Sequence, residues 1–67
     1  MTFAQKLPEL RRERGMSQEE LAVKIGVSRQ AVSKWENGEA MPDLLKLLAL
    51  SDVLEVSLDE VCVRERH

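Results

Sequence analysis

Residues 17–38, SQEELAVKIGVSRQAVSKWENG, decide the fold of this 67-residue chain. Ser17-Gln18-Glu19-Glu20 has the spacing of a capping box: Ser17 accepts from the Glu20 backbone N–H, and the Glu20 carboxylate reaches back to the Ser17 N–H. A helix therefore starts at Gln18 and carries Leu21, Ala22 and Ile25 toward one side. It stops at Gly26, where the absence of a Cβ permits the left-handed backbone of a tight turn. Ser28 is placed to cap a second helix, which sets Val32 and Trp35 on one face. That helix ends at Asn37-Gly38, a pair suited to a left-handed stop. Its opposite face offers Ser28, Arg29, Gln30, Ser33, Lys34 and Asn37, with no acid until Glu36.

Two helices joined by a short Gly-containing turn at a steep angle make a helix-turn-helix unit, here over residues 18–37. Leu21, Ile25, Val27, Val32 and Trp35 can converge on one small core, and Ala22 is small where the helices cross. Upstream, Phe3, Leu7 and Leu10 recur at helical spacing before Gly15. Pro8 lies within that segment, removing a donor and crowding the carbonyl four residues back, so a kinked or loose first turn is expected. Downstream, Pro42-Asp43 opens a fourth helix with Asp43 as N-cap. Its apolar positions are Leu44, Leu47, Leu48, Leu50 and Leu54, of which Leu44, Leu47, Leu50 and Leu54 are expected to face the core. Leu45, Ala49 and Val53 form a second stripe, continued by Val61 and Val63, and a surface helix needs only one apolar face. Ser57-Leu58-Asp59-Glu60 is a further capping box, opening a short fifth helix through Val61. The expectation is one all-α domain over residues 1–67, built of five short helices.

Composition sets the outer limits. Hydrophobic residues are 43% and charged residues 33%, an ordinary mixture for a globular domain. The longest apolar run, Leu47 to Leu50, is far short of the roughly 20 residues that span a bilayer. No basic-then-apolar leader is present, so the cytoplasm is the expected compartment. Cys62 has no partner for an internal disulfide and reads as a small hydrophobe, while His67 is terminal. No Cys/His cluster offers a metal site, and no cofactor is expected. Without an internal His, a nucleophile–base pair or a phosphate-cradling Gly-rich loop, the chain does not read as an enzyme. The net charge of −2 is unevenly spread. Residues 1–38 hold seven Lys/Arg against five Asp/Glu, a net +2, and residues 39–67 hold three against seven, a net −4. A surface for a polyanion therefore belongs in the N-terminal half.

Residues 17–38 closely resemble the Xre/Cro-type helix-turn-helix family of phage and bacterial repressors. The resemblance continues through Pro42-Asp43-Leu44 and Val56-Ser57-Leu58-Asp59-Glu60, and so covers nearly the whole chain. It implies a five-helix, lambda-repressor-like fold whose third helix enters the DNA major groove. By position it implies that Ser28, Arg29, Gln30, Ser33 and Lys34 face the bases, and that Gln18 and Asn37 contact phosphates. It also pairs Arg11 with Glu36, bracing the first helix against the third. The chemistry agrees, since Arg can pair bidentately with guanine and Gln with adenine. Taken alone, Arg29, Gln30 and Lys34 are what any solvated helix face carries; the surrounding motif is what turns them to DNA. Trp35 shares its register with Val32 and reads as core instead of a stacking platform. Arg12 and Arg14 lie near enough to the second helix to reach a phosphate, or serve solubility with Lys6.

Two positions depart from the family pattern. Glu39 and Asp43 stand in a connection where relatives carry Lys or Arg, so few counterions are released and a shallow salt dependence is expected. Glu55 stands where relatives often place Gly, which strains the turn that follows the fourth helix. The function expected is a transcriptional regulator, acting as a repressor at a short palindromic duplex. A homodimer is expected, since such proteins read half-sites about 34 Å apart, with Leu45, Ala49, Val53, Val61 and Val63 as interface residues. Two alternatives stay open: an antitoxin that represses its own promoter and grips a toxin, or a protein-interaction module, answering to a co-regulator, that has lost DNA affinity.

Overall fold

The computed structural model describes residues 2–56. Within them the chain forms α1 (Phe3–Glu13), α2 (Gln18–Ile25), α3 (Arg29–Glu36) and α4 (Leu44–Leu54), with no strand. The expected fifth helix and its Ser57 capping box, together with Val61, Cys62, Val63 and His67, lie outside the described residues. None of the four helices is long and apolar enough to cross a membrane.

Local chemistry explains each boundary. At α2 the Ser17 hydroxyl accepts from the Glu20 N–H at 3.0 Å, and the Glu20 carboxylate accepts from the Ser17 N–H at 2.8 Å. Hydrogen bonding from the Ser17 backbone N–H, and secondarily from the Ser17 hydroxyl, holds the exposed Glu20 carboxyl below its ordinary pKa. Ser28 and Asp43 cap α3 and α4 by the first half of such a box, their side-chain oxygens accepting from the Ala31 and Lys46 N–H groups. A further box, Thr2 with Gln5, opens α1 with the T-x-x-Q spacing that the motif needs. It also answers the expectation for Pro8. The first turn is pinned by Thr2, Gln5 and the Lys6 N–H to Thr2 carbonyl bond of 2.9 Å, so α1 runs unbroken across the proline.

α1, α3 and α4 end in one hydrogen-bond pattern, in which an N–H crosses five residues back to a carbonyl and the preceding N–H crosses three. The residue that makes the turn is left-handed in each: Gly15 at φ 68°, Gly38 at φ 78°, and Glu55 at φ 58°. Glu55 is the one non-glycine with positive φ among the described residues, and it carries the steric cost the sequence predicts. Its side chain gains only an exposed 3.7 Å contact with Arg14, which offsets little. Glu55→Gly is therefore expected to stabilise the domain by about 0.5–1 kcal/mol, after the larger unfolded-state entropy of glycine is subtracted. Thermal unfolding should show the midpoint rising by roughly 2–8 °C.

The core is formed by Phe3, Leu7 and Leu10 of α1, Leu21 and Ala22 of α2, Val32 and Trp35 of α3, and Leu50 and Leu54 of α4. Ile25, Val27, Leu47 and Val53 are half-buried against it. Two expectations for α4 need correction. Leu44, expected in the core, is 63% exposed. The stripe Leu45, Ala49, Val53 does not stand free as a unit: Leu45 is 72% exposed, but Ala49 is half-buried and Val53 packs on the core. The helix is rotated so that its free apolar surface is Leu44, Leu45 and Leu48, extended by Met41 from the preceding loop. Leu50 and Leu54, one turn apart, take the buried side, and Leu47 lies at its margin.

Candidate nucleic-acid interface

The second and third helices meet across Gly26, Val27 and Ser28. Gly26 turns left-handed at φ 87°, and the Val27 N–H returns to the Ala22 carbonyl at 2.9 Å, closing α2 and redirecting the chain. Val27 then tucks half-buried against the core, which fixes where α3 begins. Val32 and Trp35 face inward from α3, packed against α2 and α1. The outward face of α3 follows from that register by helical periodicity.

That face is polar and accessible. Arg29, Gln30, Ser33, Lys34 and Asn37, with Glu39, line one shallow depression on the surface. Arg29, Gln30, Lys34 and Asn37 are exposed and Ser33 is half-buried. Among the described residues, none of these five side chains is engaged in a hydrogen bond or ion pair, so their donors and acceptors remain available. Ser28 differs. Its oxygen caps α3 by accepting from Ala31, which leaves the hydroxyl proton to donate. Glu39 puts a carboxylate at the rim of this otherwise neutral-to-cationic surface.

The face is held at its far end by a buried ion pair. Arg11 Nε donates to Glu36 Oε2 at 2.8 Å and Arg11 Nη2 to Glu36 Oε1 at 3.2 Å, with side chains 10% and 7% exposed. The remaining Arg11 arm, Nη1, donates to the Met16 carbonyl at 2.9 Å in the α1–α2 connection. Hydrogen bonding to Glu36 raises the guanidinium pKa further, against the opposing effect of burial. Arg11 and Glu36 thus tie α1 and the α1–α2 loop to the last residue of α3.

The cationic and amide groups expected at phosphates separate into different environments. Gln18, the first residue of α2, is half-buried and its Nε2 donates to Glu36 Oε1 at 2.9 Å. Arg12 is exposed. Arg14 is drawn toward the end of α4, its Nη2 donating to the Glu55 carbonyl at 3.4 Å and its Nη1 3.7 Å from the Glu55 carboxylate. Neither the Gln18–Glu36 nor the Arg14–Glu55 link is a local sequence pattern; both span many residues through flexible side chains.

The helix-turn-helix family model matches residues 8–61. The HTH-type transcriptional activator BcrR of Enterococcus faecalis is 41% identical over 61 residues, covering 91% of this chain and 30% of that protein. The cryptic phage CTXphi transcriptional repressor RstR of Vibrio cholerae is 34% identical over 64 residues, covering 96% of this chain and 57% of that protein. This chain thus spans less than two thirds of the length of either relative. Among solved structures, the P22 c2 repressor protein in complex with a synthetic operator superposes with a TM-score of 0.90 at 31% identity, over 97% of this chain and 98% of that one. With most of its length matched and its α2–turn–α3 unit built as described, this chain belongs to the Xre/Cro-like helix-turn-helix family.

Proposed function

We propose that this chain is a sequence-specific duplex-DNA-binding transcriptional regulator that places α3 in the major groove, its residues 1–67 forming one binding domain. One observation carries the reading: Arg29, Gln30, Lys34 and Asn37 on the outward face of α3 are exposed and, among the described residues, unengaged, while the inner face and the end of the helix are fixed by core and ion pair. A helix fixed in position with its donors and acceptors unspent suits direct base readout, because the backbone that carries them need not be ordered on binding. Ser28, Arg29, Gln30, Ser33 and Lys34 face the bases, and Asn37, Gln18 and Arg12 reach phosphates, with Arg14 joining them by leaving its weak, exposed contact with Glu55. Binding, with no catalysis or cofactor, is the activity, and the compartment is the one that holds the DNA. Repression is the reading for the sign, because occupying a promoter blocks transcription without any further contact; RstR and the P22 c2 protein carry repressor names, and BcrR an activator name.

Two copies act together at a palindrome, joined through the exposed Met41, Leu44, Leu45 and Leu48 surface. Asp43 and Lys46 flank that surface with opposite charges, which a two-fold axis can set against each other. Selection from a random duplex pool tests the reading. The folded chain is expected to enrich a palindrome with half-sites about one helical turn apart. The affinity for that site should fall only gently with salt, since Arg12 and Arg14 of each copy are the cations placed at phosphates, and a slope implying six or more neutralised phosphates would contradict the acidic Glu39 and Asp43 connection. Folded protein that enriches no sequence counts against DNA reading altogether and turns the search to a protein partner.

A further inference from the structure

We infer that Glu36 is a positioning residue for DNA binding that acts through Gln18: clamped by Arg11, its carboxylate holds the Gln18 amide so that the second Nε2 hydrogen is presented to a backbone phosphate. The inference rests on the DNA-binding reading and specifies how one contact of that interface is built.

A carboxylate only accepts, so the amide nitrogen of Gln18, and not its oxygen, must face Glu36. One Nε2 hydrogen is used there and the other remains. The orientation is fixed from the interior outward. Arg11 is anchored by its bond to the Met16 carbonyl, and its bidentate fork sets the plane of the Glu36 carboxylate. Oε1 then receives Gln18 Nε2 at 2.9 Å as well as Arg11 Nη2 at 3.2 Å. Gln18 opens α2, and among the described residues its backbone N–H and that of Glu19 have no backbone acceptor. A glutamine already held in one orientation loses little conformational freedom when it meets a phosphate, whereas a free one must be ordered. The positive charge of Arg11 also matters. It neutralises Glu36, so the phosphate approaches a paired carboxylate and not a bare one.

The test uses the duplex recovered by selection, with single phosphates replaced in turn by neutral methylphosphonates. Wild-type protein is expected to lose about tenfold in affinity at one phosphate per half-site, the size of a hydrogen bond to a charged group. Gln18→Ala should abolish that sensitivity and leave all other positions unchanged. The double variant Arg11→Met, Glu36→Leu removes the ion pair without leaving a lone charge and should remain folded by thermal melting. In it the same methylphosphonate should cost less than about twofold, although Gln18 is still present, while base selectivity is kept. Full tenfold sensitivity in the folded double variant overturns the inference, because Gln18 would then find the phosphate unaided. A measurement on the wild-type chain stands independent of any variant: the Gln18 side-chain amide should show an NMR order parameter near that of rigid backbone, about 0.85. A value below about 0.6 overturns the positioning role. Wild-type protein that binds no duplex overturns the DNA reading itself, a failure distinct from normal binding with an unaltered phosphate profile in the double variant.

Discussion

Arg11→Ala is expected to destabilise the domain by about 3–5 kcal/mol, the cost of leaving one member of a buried ion pair without its partner. A 67-residue domain has on the order of 3–10 kcal/mol in total, so the loss removes a large share of it and leaves the variant largely unfolded where the total lies at the lower end of that range. The size follows from what Arg11 holds. Its three donors meet both oxygens of Glu36 and the Met16 carbonyl, at 2.8 to 3.2 Å. Without them the Glu36 carboxylate, 7% exposed, keeps a single neutral donor in Gln18, and the α1–α2 connection loses the tie at Met16. The alanine also leaves a void where the arginine stem passed. Replacing both partners by Met and Leu removes the charge with its counterpart and should cost little, so urea unfolding should separate the two variants by several kcal/mol. An Arg11→Ala protein within about 1 kcal/mol of wild type would show the pair to be a surface contact in effect, worth what exposed pairs are worth.

The same buried pair marks the boundary of what the sequence discloses. The helix-turn-helix was legible because its signals are local: a capping box within four residues at Ser17, a left-handed glycine at 26, a cap at Ser28, a stop at Asn37-Gly38. Glu55 was legible through the resemblance, since relatives often place Gly there, and the structure puts it in a turn that at two other helix ends is glycine. The face of α4 was not. Leu44 to Leu54, LLKLLALSDVL, is apolar nearly all round, so periodicity cannot say which leucines point inward. Packing decides it, and packing sends Leu50 and Leu54 in and leaves Leu44 and Leu45 out. The resemblance, and no spacing, paired Arg11 with Glu36. Nothing in the chain foretold that Gln18 would join them or that Arg14 would turn to Glu55, because a long side chain with several rotamers goes where a distant partner holds it. The outward face of α3 was readable as a face. Which base each side chain meets depends on the duplex as much as on the chain.

That dependence makes the second large effect one of selectivity. Arg29→Ala with Gln30→Ala is expected to weaken binding by about 2–6 kcal/mol per half-site of the selected palindrome, roughly 30-fold to 10⁴-fold, if each bidentate contact is worth about 1–3 kcal/mol and the two add. Both residues are exposed and outside the core, so the melting midpoint should barely move, and lost affinity cannot be lost fold. Binding to random duplex should change much less, because phosphate attraction remains with Arg12, Arg14 and the amides of Gln18 and Asn37. The ratio of specific to non-specific affinity is therefore the quantity that collapses. Glu39→Lys supplies the contrast. It replaces an exposed acid at the rim of the α3 depression by a cation, and should tighten binding to every sequence alike while steepening the salt slope by about 0.9 for each phosphate gained. Competition binding at two salt concentrations distinguishes the two roles. If the double alanine variant keeps its selectivity ratio while folded, α3 does not read the bases through Arg29 and Gln30. If Glu39→Lys sharpens selectivity instead of raising all affinities, the rim carboxylate is itself a base contact, accepting from a cytosine amine as a carboxylate can.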